Sequence, residues 1–152
     1  MLKNKIGINE IRELIPHREP FLFLDELTNI EKLKNATGIK TFSRSENFFK
    51  GHFPGQPVVP GVILVEMMAQ TAAALIAYSI RDETFDKIVY LMNIEQTKFR
   101  KPVFPEATIF TDVNALRSKG RVWRFKGNSY DINHNAICEA KWSAMIMDRD
   151  NE

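Results

Sequence analysis

From Val62 to Ile80 the chain is apolar except for Glu66, Gln70, Thr71, Tyr78 and Ser79. That length approaches the ~20 residues of a membrane span. A loop rich in proline and glycine precedes it, Glu66 and Gln70 interrupt it, and no basic flank sits on its N-terminal side. A helix that is apolar all round can instead be the buried centre of a globular domain. The sequence therefore predicts a central helix over about 61–80 and no membrane association. The rest of the chain must supply its cover.

The cover reads as strands. A short helix over about 8–15 comes first, with Ile8, Ile11, Leu14 and Ile15 on one side and Pro16 as its stop. Phe21 to Ile30 reads as a strand, with Ala36 to Phe42 as its hairpin partner, and Ser45 to Phe49 reads as a turn. After a linker from Arg81 to Asp86, Ile88 to Ile94 is strand-like and Thr97 to Arg100 continues it. Three long strands follow at Ala107–Leu116, Val122–Ile132 and Ala136–Met147, separated by turns at Ser118-Lys119-Gly120 and Asn133-His134-Asn135. In the last strand Ala136, Cys138, Ala140, Trp142, Ala144 and Ile146 alternate with Glu139, Lys141 and Ser143, which marks one buried and one wetter face. Five or six antiparallel strands with one long helix make an α+β pattern. A sheet wrapped around that helix is a hot-dog arrangement, expected here as one domain over residues 1–152. An incomplete wrap leaves apolar surface for a second copy.

Composition narrows the function. The chain has 152 residues, 44% of them hydrophobic, and a net charge of +2. No nucleic-acid footprint is implied. Cys138 is the only cysteine, so an intrachain disulfide and a CxxC metal site are excluded. A reducing, cytoplasmic setting fits best. The N-terminal segment from Met1 to Gly7 lacks the apolar core of a secretory signal. His17, His52 and His134 are scattered without ligand spacing, so no metal site is expected. There is no P-loop, GxGxxG or nucleophile elbow.

Two residues stand out. Gly51 to Gly61 is a loop with prolines at 54, 57 and 60 and glycines at 51, 55 and 61, and it carries His52. Proline fixes the backbone, so such a loop aims an imidazole. Glu66 lies in the second turn of the apolar helix, with Gln70 one turn later on the same face. The plain alternatives are a turn-capping histidine and a solvated Glu/Gln stripe. Against the second, Val62, Ile63, Leu64, Val65, Met67, Met68 and Ala69 leave no polar face. A carboxyl in apolar surroundings holds its proton more readily, and a neutral imidazole opposite it completes an acid/base pair. The N–H of Gly61, at the helix N-terminus, could steady a carbonyl oxygen as charge develops there. Lys98, Arg100 and Lys101, with Arg117, Lys119, Arg121, Arg124 and Lys126 later, form basic runs, read either as a solvated face or as a landing patch for an acidic protein.

The motif from His52-Phe53-Pro54-Gly55 through Pro60-Gly61 to Glu66 and Ala69-Gln70 resembles the signature of the β-hydroxyacyl-acyl carrier protein dehydratases of bacterial fatty acid synthesis. Ile15-Pro16-His17-Arg18, Lys98-Phe99-Arg100-Lys101-Pro102-Val103 and Val122-Trp123-Arg124-Phe125-Lys126-Gly127 resemble further blocks of that family. The likeness runs from about residue 8 to 148. It implies a hot-dog fold, a homodimer and often a trimer of dimers. It also implies that His52 of one subunit faces Glu66 of the other. The implied substrate is an acyl chain on the phosphopantetheine arm of acyl carrier protein, with no other cofactor. Glu66 stands where the related dehydratase/isomerase group carries Asp, which implies dehydration without isomerisation. Glu19, Gln56 and Met67 depart from the family's common choices. The expected chemistry is reversible dehydration of a (3R)-3-hydroxyacyl thioester to the trans-2-enoyl thioester, with Phe21, Phe53, Val62 and Met92 lining an acyl tunnel. The rival readings are a hot-dog thioesterase and an inactive subunit that only binds the carrier.

Overall fold

The computed structural model describes residues 4–81 and 87–149. Apart from Arg81, the linker expected over Arg81 to Asp86 lies outside them. Strand β1 (Lys5–Gly7) leads into helix α1 (Ile8–Leu14), then β2 (Glu26–Glu31), β3 (Asn35–Thr41) and the short 3₁₀ turn Asn47–Lys50. Helix α2 (Gly61–Ser79) follows. Strands β4 (Lys87–Phe99), β5 (Thr108–Lys119), β6 (Val122–Tyr130) and β7 (Ala136–Asp148) complete the chain. All seven strands form one sheet in the order β1-β2-β3-β5-β6-β7-β4. Each described pairing is antiparallel.

The helix is possible because leucine, methionine and alanine favour helical backbone and the run lacks internal Gly or Pro. Its stability comes from burial. Met67, Met68, Ala74, Leu75 and Ala77 are fully inaccessible, and each large side chain among them contributes about 1.5–3 kcal/mol. Although α2 is apolar and long enough to cross a membrane, 72% of that stretch is buried inside the fold.

Small residues let the sheet approach the helix. Gly38 on β3 pairs with Thr111 on β5, Thr111 with Ser129 on β6, and Ser129 with Cys138 on β7. This row crosses the sheet beneath α2. A methyl group at Gly38 would sit 2.2 Å from Thr71 Oγ1, and one at Gly127 would sit 2.9 Å from Met68 Sδ and from the Trp142 ring. The buried hydroxyls in the row are satisfied. Those of Thr111 and Ser129 lie 2.8 Å apart, and Thr71 donates to the Met67 carbonyl at 2.7 Å.

Two strand bounds move, one strand is new, and one expected continuation is seen. The strand expected from Phe21 starts only at Glu26, because the Phe23 N–H donates to Gln70 Oε1 and the Phe21 carbonyl accepts from Gln70 Nε2. The extended backbone there is tied to a helix side chain. Strand β1 was not expected; it pairs Lys5 to Gly7 with Glu26 to Thr28. Strand β4 is one continuous element, with register shifts at Leu91/Asn93 and Glu95/Lys98. At the other end, β6 stops at Tyr130 rather than Ile132, because the Asp131 carboxylate accepts the Asn133 and Asn135 N–H groups, each at 2.9 Å.

The two sheet edges differ. β1 is three residues long, whereas β4 is thirteen and leaves Tyr90, Leu91, Met92, Ile94 and Phe99 exposed. A long apolar edge strand is a template for pairing with another chain.

Candidate active site

His52 follows the 3₁₀ turn that ends at Lys50. Its loop is closed by reciprocal backbone hydrogen bonds between Phe53 and Gln56, and by Gly55, whose φ of 76° lies where only glycine sits easily. The Val59 N–H donates to the Val103 carbonyl at 2.8 Å and ties the loop down. The His52 ring stacks on Phe53, with centroids 4.1 Å apart. Its Nδ1 lies 2.9 Å from the Val58 carbonyl oxygen. A carbonyl can only accept, so Nδ1 carries the hydrogen and Nε2 presents its lone pair outward. That is the tautomer a general base requires.

Glu66 is held from the other side. Gln70 is fully buried. Its Nε2 donates to Glu66 Oε1 and to the Phe21 carbonyl, each at 3.0 Å, while its Oε1 accepts the Phe23 N–H at 2.8 Å. These three bonds fix the amide's orientation, so it meets Glu66 as a donor. The carboxyl forms part of the wall of a cavity of about 70 Å³, shared with His17, Ala69, Ala73, Val89, Leu91 and Ala144. His17 Nε2 stands 3.7 Å from Glu66 Oε1. Sequence reading set His17 aside, because nothing in a separation of 49 residues shows that the stop after α1 returns to α2.

Among the described residues no hydrogen bond or ion pair joins His52 to Glu66 within one chain. Gly61 opens α2, where the first N–H groups lack intrahelical acceptors. It also packs against Phe99, whose ring would lie 2.8 Å from a methyl group placed there. Phe21, Phe53, Val62 and Met92 are all exposed, and none lines the cavity beside Glu66. Of the basic run, Arg100 bonds Glu139 at 2.9 Å and Lys101 lies 3.6 Å from Asp131. Lys98 lines an outer groove of about 430 Å³ with Lys126, Lys141 and Glu139. Among the described residues no cluster of His, Cys, Asp and Glu could hold a metal ion.

Comparison with known proteins places this architecture. Residues 15–141 match the model of the FabA-like domain. The 3-hydroxyacyl-[acyl-carrier-protein] dehydratase FabZ of Gluconobacter oxydans is 46% identical over 142 residues, covering 93% of this chain and 83% of the relative. That of Paramagnetospirillum magneticum is 42% identical over 143 residues, covering 94% and 88%. Among solved structures, the dehydratase heterocomplex ApeI:P from Xenorhabdus doucetiae superposes with a TM-score of 0.79 at 15% identity, over 91% of each chain. A sigma28-regulated virulence protein of Campylobacter jejuni superposes at 0.68 and 13% identity, over 93% of this chain and 91% of its own. At those identities the structural likeness carries the fold alone. The chain belongs to the FabA-like family, among the 3-hydroxyacyl-[acyl-carrier-protein] dehydratases, and has their hot-dog fold.

Proposed function

We propose that this protein dehydrates (3R)-3-hydroxyacyl thioesters on acyl carrier protein to the trans-2-enoyl thioesters, reversibly, as a cytoplasmic lyase of fatty acid biosynthesis. His52 Nε2 takes the C2 proton, which the neighbouring thioester carbonyl acidifies. The Gly61 N–H, at the positive end of α2, receives the carbonyl oxygen as charge develops on it. Glu66 gives its proton to the departing 3-hydroxyl, which leaves as water. The C2 proton ends on His52, and the products are the enoyl thioester and water. No cofactor beyond the carrier's phosphopantetheine arm takes part.

The observation that carries this reading is that each acid/base group is gripped on its non-reacting side. The Val58 carbonyl holds His52 by Nδ1, and Gln70 holds Glu66 by Oε1. Among the described residues neither reacting atom, His52 Nε2 or Glu66 Oε2, has a hydrogen-bond partner.

The two halves meet when a second copy docks on the exposed β4 edge, placing His52 of one subunit opposite Glu66 of the other. Phe21, Phe53, Val62 and Met92 then lie in a shared apolar wall for the acyl chain, and such dimers assemble further as trimers. His52→Ala and Glu66→Gln each lower turnover at least ~100-fold. Mixing the two inactive variants restores one intact site per mixed dimer, about a quarter of wild-type activity for random two-fold pairing. Near-native turnover by either single variant overturns the assignment, and no recovery on mixing overturns the shared site. Free thiol release without enoyl absorbance would identify a thioesterase instead. Carrier binding with neither product would identify an inactive subunit.

A further inference from the structure

We infer that His17 is a positioning residue for Glu66, a second grip on the same carboxyl oxygen, Oε1, that Gln70 holds. This rests on the acid role proposed for Glu66 and adds a residue to that site.

The geometry is specific. His17 Nε2 lies 3.7 Å from Glu66 Oε1, and both side chains are 22% exposed. At that distance the pair interacts electrostatically and is one small shift from a hydrogen bond. The rest of the cavity wall is Ala69 and Ala73 from α2, Val89 and Leu91 from β4, and Ala144 from β7, which offer no polar side chain. The remaining ring nitrogen, Nδ1, is buried without a hydrogen-bond partner. A buried polar atom left unpaired costs about 1–3 kcal/mol. An apolar side chain in this place would avoid that cost, so an imidazole here points to a use for the other nitrogen.

The charge state fits the same use. Burial pushes His17 below the ordinary histidine range; the Glu66 carboxyl partly opposes this, and the Arg18 guanidinium reinforces it. Arg18 itself donates to the carbonyls of Arg12, Ile15 and His17, which anchors the turn that carries the ring. Gln70 already donates to Glu66 Oε1, so that oxygen is an acceptor whether the carboxyl is protonated on Oε2 or ionised, and a neutral imidazole with its hydrogen on Nε2 can donate to it in both states. It can therefore serve Glu66 before and after the proton leaves. A fixed cation would hold only the ionised form.

Volume adds a second consequence. A cavity of about 70 Å³ is roughly two waters' share of liquid volume. Its polar side chains are those of Glu66 and His17. The water formed when Glu66 protonates the leaving hydroxyl has a place there beside these two polar groups, and in the reverse direction the attacking water starts from it.

The test separates a polar grip from mere packing. In assembled, full-length protein, His17→Leu fills the space without a polar atom and His17→Gln keeps one. His17→Met stands in if the leucine variant fails to assemble. The grip predicts that His17→Leu lowers kcat about 10-fold with KM within about twofold, while His17→Gln stays within about threefold of wild type. In a Glu66→Gln background, His17→Leu adds no further loss, because it acts through the missing carboxyl. Wild-type kcat in His17→Leu, equal losses in the Leu and Gln variants, or an additive loss in the double variant overturns the inference. If Glu66→Gln alone retains wild-type turnover, it is the acid role of Glu66 that fails.

Discussion

The two faces of α2 are built on opposite terms. The face toward the sheet, with Met67, Met68, Thr71 and Leu75, is packed against Gly38, Thr111 and Gly127 with its hydroxyls satisfied. The face with Glu66, Ala69 and Ala73 borders a cavity, a partly exposed carboxyl and a histidine with an orphaned nitrogen. Close packing specifies one structure. Open space and unspent polar atoms are what a reaction needs. One helix thus serves as core on one side and as chemistry on the other.

Paired substitutions can break this division. Glu66→Gln keeps an acceptor for Gln70, so stability should change by less than about 1 kcal/mol while turnover falls at least ~100-fold. Gly38→Ala should do the reverse. Its methyl group meets Thr71 and Leu24, at 2.2 and 2.7 Å, and overpacking of that kind costs about 1–3 kcal/mol. Urea midpoints alongside steady-state rates decide the matter. Comparable losses of turnover in both variants would show that the two faces are coupled.

How much of this was legible beforehand follows the same line. The sheet-facing side was readable because packing leaves periodic signatures: α2 is almost wholly apolar, and Cys138, Ala140, Trp142 and Ala144 are buried as the pattern required, although Ser143 is buried with them and Ala136 is exposed. His52 and Glu66 stand out in the sequence because each interrupts a context that would otherwise exclude it. Features set by long-range contact were not readable. The segment Phe21 to Phe23 looks like a strand locally, yet the Phe21 carbonyl and the Phe23 N–H turn to Gln70, 47 residues from Phe23. β1 is too short to show alternation. His17 is unremarkable until α1 and its stop are folded against α2. Nor does one chain's sequence register that Phe53, Val62 and Met92 stand exposed on it.

Cys138 sharpens the contrast from the packed side. It sits at the end of the small-residue row and is buried, and burial pushes its thiol from 9.0 up to about 11, with Glu139 adding to the effect. Between those values the unfolded thiol ionises while the folded one stays neutral. The unfolded state then binds fewer protons, so stability falls as pH rises through that window and is unaffected below it. The loss should be about 1 kcal/mol by pH ~10, seen as a lower urea midpoint than at pH ~8. Cys138→Ala should lack this component. An identical pH response in the variant would mean that the thiol is not held neutral by the fold.

The smallest effects belong to the outer basic surface, where ion pairing separates the candidate residues. A landing patch for an acidic carrier needs charge that is not already neutralised. Arg100 and Lys101 face Glu139 and Asp131, whereas among the described residues Lys98, Lys126 and Lys141 have no carboxylate within ion-pair distance. Lys126 and Lys141 are direct cross-strand partners. Like charges set opposite each other are unfavourable, and an anion bridging them would relieve that. If the carrier lands on this groove, Lys126→Ala and Lys98→Ala should each raise KM for carrier-bound substrate about threefold with kcat unchanged, and moderate salt should shrink the difference. Arg100→Ala should do less, since it also releases Glu139. A larger effect from Arg100 than from Lys98 or Lys126 would move the landing site toward the end of β4, beside Phe99 and Gly61.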